Sequence, residues 1–439
     1  MIFWPSTKLS AGQEVIGGAH RAFFFAREIG RFASVQVVVQ VLGLTTGILL
    51  VRLMEQREYA LFTVANTMQG TMNVLADIGI SIGVVSIGGR VWQNGRRFGE
   101  LVRTGLTLRR NLGLIAGIVI TPLLYYMLRK NGASIAYTFL LIAAVWVALA
   151  AQLSIGVLEV VPRLRSEIRL IQQIDLTAAF VRLTVVAVLA FVLLNAGVAV
   201  FVGCGALWVQ HLLLRRYVTR VTDLATAENP EDRRVMLALI RQQADNAIFY
   251  CFQGQIAVLL ITIFGHRVTS VAEVGALGRL AMIYAVLGNM LMNILVPAFA
   301  RCQNPRQLRW IYLGIVAAVA GLGLIVLGAA LFLPREFLLI LGRRYLHLQH
   351  ELVLMVGGAT LNMMTSTLWL LNAARAWTAG SWINIPLTIA TQLLLIPFVD
   401  FSTVSGVLTF NLISALPSLL LNIGLSYRGF GQPIVAETA

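Results

Sequence analysis

Uninterrupted apolar runs of roughly 18–25 residues recur along the whole chain, each long enough to cross about 30 Å of hydrocarbon as a helix. In lipid, backbone N–H and C=O groups have no water to bond, so only helices and closed barrels span a bilayer. The runs are continuous and do not alternate in segments of about ten residues, which excludes an outer-membrane barrel. Twelve spans are expected, at 32–54, 60–87, 108–128, 135–158, 174–194, 198–214, 246–265, 275–300, 311–333, 352–374, 381–398 and 404–424. Composition agrees: 58% of the residues are hydrophobic and 12% charged, against about 25% charged in an ordinary soluble domain. So few charges could not cover a water-soluble globule, and a soluble enzyme, a disordered chain and a repeat solenoid are excluded. The first run lacks the small-residue exit of a cleavable signal and reads as a retained span.

The net charge of +15 would suggest nucleic acid in a soluble protein. Here it follows from topology, because basic loops stay cytoplasmic. With the N-terminus inside, Lys and Arg on inner connections outnumber those on outer ones by more than two to one. Both termini are therefore expected in the cytoplasm. The polar stretch 215–245, with Asn229, Pro230, Glu231 and Asp232, reads as a linker. It divides the chain into an N-terminal segment (1–31), a six-helix bundle (32–214), the linker (215–245), a second six-helix bundle (246–424) and a tail (425–439). Glu58-Tyr59-Ala60-Leu61 and Glu273-Val274-Gly275-Ala276 open corresponding spans, as expected of two parallel repeats. The expected fold is thus an all-α integral membrane protein of about twelve transmembrane helices in two six-helix bundles.

Ionisable residues inside spans are costly and mark function by default. Arg182 lies near the middle of span five, with Asp175 two turns earlier on the same face. A guanidinium keeps its charge when buried and offers a planar fork to a phosphate. Arg279 stands one turn into span eight and Arg52 ends span one; either draws an anionic group to the mouth or reaches to headgroups. Gln253-Gly254-Gln255 in span seven offers amides for sugar hydroxyls or for neighbouring helices. Asp77, late in span two, and Asp175 are candidates for an ion or proton site. Pro297, Pro386 and Pro397 are expected kinks. Cys204, Cys251 and Cys302 suggest neither a disulfide nor a metal site, and His347 and His350 are read as solvated. No phosphate-binding G-x-x-x-x-G-K-[ST] motif, nucleophile–base pair or clustered carboxylates occur, so no cofactor or metal is expected and the chain does not read as an enzyme.

The segments Gln40-Val41-Leu42-Gly43, Val51-Arg52-Leu53-Met54, Glu58-Tyr59-Ala60-Leu61-Phe62 and Leu75-Ala76-Asp77-Ile78-Gly79-Ile80 resemble the polysaccharide, O-antigen type, flippases of the multidrug/oligosaccharidyl-lipid/polysaccharide exporter superfamily. The resemblance covers about a quarter of the chain, with echoes at Ala272–Gly275 and Val296–Ala300. It implies an inner-membrane carrier that turns a polyprenyl-diphosphate-linked glycan from the cytoplasmic to the periplasmic face by alternating access, for cell-surface polysaccharide and lipopolysaccharide synthesis. It also implies a cationic cavity between V-shaped bundles, lipids as surroundings, and a polysaccharide polymerase and chain-length machinery as partners, with no role for nucleic acid. Two other functions stay open on the residues themselves. A multidrug extruder would call for acidic residues in the cavity. A membrane-embedded glycosyltransferase or polymerase would use the outer loop at 334–351, with Arg343 and His350.

Overall fold

The computed structural model describes residues 35–189, 195–265, 267–302 and 304–431, with backbone alone at 283, 285–298 and 300–301. The expected N-terminal segment and the last eight residues of the tail lie outside the described residues. Fifteen α-helices and three short 3-10 turns make up the fold, with no strand among the described residues. The helices are α1 (Val35–Leu53), α2 (Gln56–Asp77), α3 (Ile80–Val91), α4 (Gly95–Lys130), α5 (Ile135–Leu158), α6 (Val160–Leu164), α7 (Ile168–Leu189) and α8 (Ala196–Val221). They continue with α9 (Pro230–Phe264), α10 (Val268–Arg301), α11 (Pro305–Phe332), α12 (Pro334–Leu341), α13 (Gln349–Ala374), α14 (Asn384–Leu395) and α15 (Val404–Phe430). Among the described residues ten segments are long and apolar enough to cross a membrane, eleven with the bent pair α2–α3. The 34-residue α10 stands where the eighth span is expected. The chain is a multi-pass membrane protein.

Local sequence sets the helix starts. Asn94, Ser134, Asn195, Asn229, Asn304 and Thr403 each accept a backbone N–H of the first turn through the side chain, satisfying donors that a helix start leaves free. Asn229-Pro230 and Asn304-Pro305 add proline at the first helical position, where its missing N–H costs nothing. The Asn229 cap changes one expectation. The stretch 215–245 is not an extended linker, because α8 runs on to Val221 and α9 begins at Pro230, leaving only 222–229 between them. The expected mid-span kinks of the eleventh span are also absent. Pro386 falls in the first turn of α14 and Pro397 in the 3-10 turn Ile396–Phe398 that ends it, both places that tolerate a missing N–H. Span two, in contrast, does break. It bends by 44° between α2 and α3, where Gly79 takes a left-handed φ of 78° that costs glycine nothing.

Helices α2 to α8 pack among themselves, as do α10, α11, α13, α14 and α15, and α9 packs on both sets. At one end of the molecule the two sets meet through α2 and α10. The buried residues Tyr59, Phe62, Ala272, Leu277, Leu338, Leu341 and Tyr345 belong there to one continuous core. Gly275 lies against Thr63 so closely that an added methyl would overlap it. Arg52 clamps this end by donating to the carbonyls of Ile340 and Leu339 at 2.8 and 2.5 Å. Arg344 donates to Met54 O at 3.1 Å, and His347 meets Glu273 at 3.2 Å. The expected outer loop 334–351 is therefore largely helical and folded down onto α1 and α10. Burial pushes the Tyr345 phenol above its ordinary pKa.

The opposite, basic end is tied differently. Arg97 forms a two-pronged pair with Asp232 at 2.5 and 2.6 Å, and the Asn229 N–H donates to Thr104 Oγ1 at 3.0 Å. Met236 and Leu239 of α9 fill the space beside Gly83 and Gly79. Gly99 lies directly under the carbonyl oxygen of Asp223, leaving no room for a methyl. Gly99→Ala is expected to cost about 1–3 kcal/mol by overpacking, read as a lower melting temperature of the detergent-purified protein.

Candidate functional site

Helices α2, α9, α10, α13 and α15 enclose a cavity of about 440 Å³ between the two sets of helices. Its polar lining comes from Thr63, Asn66, Thr67, Gln255, Asn362 and Asn411, together with Arg279. Among the described residues no carboxylate lines it. Arg279 is held by what surrounds its stem and ring face. The stem lies against Gly47, Nε donates to the Tyr59 hydroxyl at 3.3 Å, and the guanidinium carbon sits 5.9 Å from the Phe62 ring centre. These contacts orient the group without neutralising it. The motif Glu58-Tyr59-Ala60-Leu61-Phe62 acquires a physical meaning here. Glu58 accepts from the Tyr137 hydroxyl at 2.7 Å and from the Ala196 N–H at 2.8 Å. It thus fixes the starts of α2, α5 and α8 together, and the next residue presents its phenol to Arg279.

Arg182 of α7 has its Nε buried and without a hydrogen-bond partner among the described residues. Its guanidinium points toward Gly203 of α8. It does not line the 440 Å³ cavity. Of the other expected substrate residues, Gln255 lines the cavity. Gln253 instead accepts from Gln392 Nε2 at 2.8 Å, joining α9 to α14. Arg52, with its carbonyl partners, is a clamp between α1 and α12. One glutamine thus faces the cavity, and its neighbour two residues away serves helix packing.

The two carboxylates fall in separate networks. Asp175 accepts from Gln210 Nε2 of α8 at 2.9 Å. Asp77, the last residue of α2, accepts from Ser81 at 2.6 Å and lies 3.3 Å from Arg109 Nη1. Arg109 was not legible as a site residue: with Arg110 it reads as the basic start of a span. The Asn94 cap extends α4 backward, so Arg109 falls inside the bundle, 4% exposed, under Gly156. Its Nη2 donates to Asn73 at 3.1 Å, while Nε finds no acceptor. The pair sits at the break of span two and is unequal, because the Asp77 side chain is 36% exposed.

No family model matches the chain, and no curated protein matches it. Solved structures do. The lipid II flippase MurJ in an inward closed conformation superposes with a TM-score of 0.72 at 9% identity, over 91% of this chain and 88% of that one. An inward-facing multidrug resistance MATE family transporter of the MOP superfamily gives 0.63 at 15% identity, over 90% and 98%. A MOP superfamily transporter from Pyrococcus furiosus gives 0.55 at 15%, over 92% and 94%. The chain therefore has the fold of MOP superfamily transporters, and these neighbours are carriers, not enzymes.

Removing one member of a buried ion pair strands the other. Asp77→Ala, which strands buried Arg109, is expected to cost about 3 kcal/mol, and Arg109→Met, which leaves the half-exposed Asp77, about 1 kcal/mol or less. Denaturation of both purified variants measures the order; equal losses would contradict the assignment of Arg109 as the buried partner.

Proposed function

We propose that this protein is a flippase for a polyprenyl-diphosphate-linked oligosaccharide of cell-surface polysaccharide synthesis. The observation that carries this reading is the cavity between the helix sets, which holds a fixed guanidinium, several amides and hydroxyls, and no carboxylate. A cation without a counter-ion in a low-dielectric site favours an anion. Asn66, Gln255, Asn362 and Asn411 have both donors and acceptors to offer sugar hydroxyls. The diphosphate is received by Arg279, with Arg182 adding positive potential from α7. The glycan occupies the amide-lined space, and the prenyl chain stays in the lipid. The neighbouring lipid II flippase, by its name, carries a lipid-linked substrate, and the same class of cargo fits here.

Transport follows from releasing one set of ties while the other holds. Opening the basic end separates Arg97 from Asp232, and opening the far end frees Arg52 and Arg344 from their carbonyls. The moving bodies are the two expected bundles, 32–214 and 246–424, joined through α9, which packs on both sets. The Asp77–Arg109 pair at the break of span two, and Asp175 with Gln210, are the places where a coupling ion or proton would act. In this reading both termini lie in the cytoplasm, as the positive-inside rule predicts, and the protein resides in a bacterial inner membrane, as the flippase resemblance implies. A polysaccharide polymerase and chain-length machinery take the product on the other face.

Radiolabelled lipid-linked oligosaccharide in proteoliposomes tests the proposal. Protein-containing vesicles are expected to expose label at a rate above empty ones. Arg279→Ala and Arg182→Ala are each expected to slow this about tenfold or more, the equivalent of about 1.4 kcal/mol, at unchanged protein content. Label movement no faster than in empty vesicles, with export of an organic cation instead, would overturn the reading in favour of a drug extruder.

A further inference from the structure

A second cationic site lies on the first set of helices, away from the central cavity. Helix α5 packs against both α4 and α8, which flank it and barely touch each other. The gap between them is a groove of about 580 Å³ with α5 as its floor. Along α4 the groove is lined by Arg103, Thr107, Arg110 and Leu114, and along α8 by His211, Arg215 and Thr219. These spacings place each set on one helical face. Neither α5 nor α8 packs extensively on α9–α15, so the groove opens on a side that the second set leaves uncovered.

The groove is polarised along its length. At the basic end stand three exposed arginines, Arg103, Arg110 and Arg215, with no ion pair to any described residue. Deeper in, Leu114, 46% exposed, with Trp146, Leu149 and Leu153, makes an apolar trough. Among the described residues no carboxylate lines either part. His211 is 7% exposed, yet its Nδ1 has no hydrogen-bond partner. A buried ring nitrogen left unsatisfied at the wall of a polar groove implies an absent partner. Beyond Arg110 the helix rises a further ~6 Å to Leu114, so the trough continues from the arginines toward the hydrocarbon.

We infer that this groove is a binding site for an anionic glycerophospholipid, its phosphate among Arg103, Arg110 and Arg215 and within reach of His211, and one acyl chain along the trough to Leu114. The charge calls for a phosphate, as at other guanidinium clusters. The apolar trough that continues beyond the arginines selects a phosphate that carries an acyl chain over free phosphate or diphosphate. The site is separate from the cargo cavity and does not depend on what the cargo is. Lipid held here would fill the gap between α4 and α8, and so brace the first set of helices from the membrane side.

Native mass spectrometry of the full-length protein, with phosphatidylglycerol and phosphatidylcholine titrated in parallel, tests this. Wild type is expected to hold one phosphatidylglycerol with about tenfold preference over phosphatidylcholine, the equivalent of about 1.4 kcal/mol. Arg103→Gln/Arg110→Gln/Arg215→Gln is expected to lose the preference. Should that variant not fold, Leu114→Trp decides, since it keeps every arginine, fills the trough and is expected to lower phosphatidylglycerol retention. Equal binding of both lipids by wild type, or preference undiminished in the triple variant or in Leu114→Trp, would overturn the site. Displacement of phosphatidylglycerol by inorganic diphosphate at equal concentration would overturn its lipid character, and displacement by a smaller amount of polyprenyl diphosphate would assign the groove to cargo.

Discussion

An ionised side chain within a membrane needs a partner, a path to water or a purpose, because hydrocarbon offers it nothing. The structure sorts its deep charges by this requirement. Asp77 and Arg109 neutralise each other at the break of span two. Arg52 and Arg344 are spread over backbone carbonyls at a junction between helices. Arg375 does the same with the carbonyls of Phe299 and Cys302. Arg279 receives a phenol and an aromatic face and no carboxylate. Among the described residues neither Arg182 nor Arg279 is paired with an acid, and in the proposed reading the cargo supplies that charge.

The same sorting explains how the two helix sets hold together while remaining separable. Both junctions rely on a small number of polar ties over closely packed small residues. At one end Gly275 admits Thr63, and at the other Gly79 and Gly83 admit Leu239 and Met236. Close backbone approach through small residues is how membrane helices gain packing without a hydrophobic driving force. Ties built from guanidinium groups on carbonyls and on a carboxylate are discrete and exchangeable, which suits a carrier whose two ends open in turn.

Much of the architecture was legible because lipid imposes it. Apolar run length gave the spans, and the intramembrane arginines stood out against a background with few charges. Two kinds of feature were not legible. Helix extension was missed where a cap lies beyond the apolar run, as with Asn94 before α4 and Asn229-Pro230 before α9. That is why Arg109 was read as the basic start of a span and 215–245 as a linker. The facing of neighbouring residues was the other. Gln253 and Gln255 lie in one apolar helix, yet one bonds Gln392 and the other lines the cavity, a difference of helical rotation that composition does not carry. Arg52 was read at the end of a span, free for an anion or headgroups, and only the folding back of α12 supplies the carbonyls that occupy it. The motif around Glu58 was recognisable as a pattern, but its chemistry, a carboxylate gathering three helix starts and a phenol aimed at Arg279, required coordinates.

The central claim is that Arg279 receives the phosphate groups of a lipid-linked glycan in the cavity between the two sets of helices. A structure of the protein determined with a polyprenyl-diphosphate-linked oligosaccharide bound tests it most directly. The account predicts phosphate oxygens about 3 Å from the Arg279 guanidinium, with sugar hydroxyls against Gln255, Asn362 and Asn411. A diphosphate bound outside this cavity, with Arg279 turned to acyl chains or paired with a carboxylate, would contradict it.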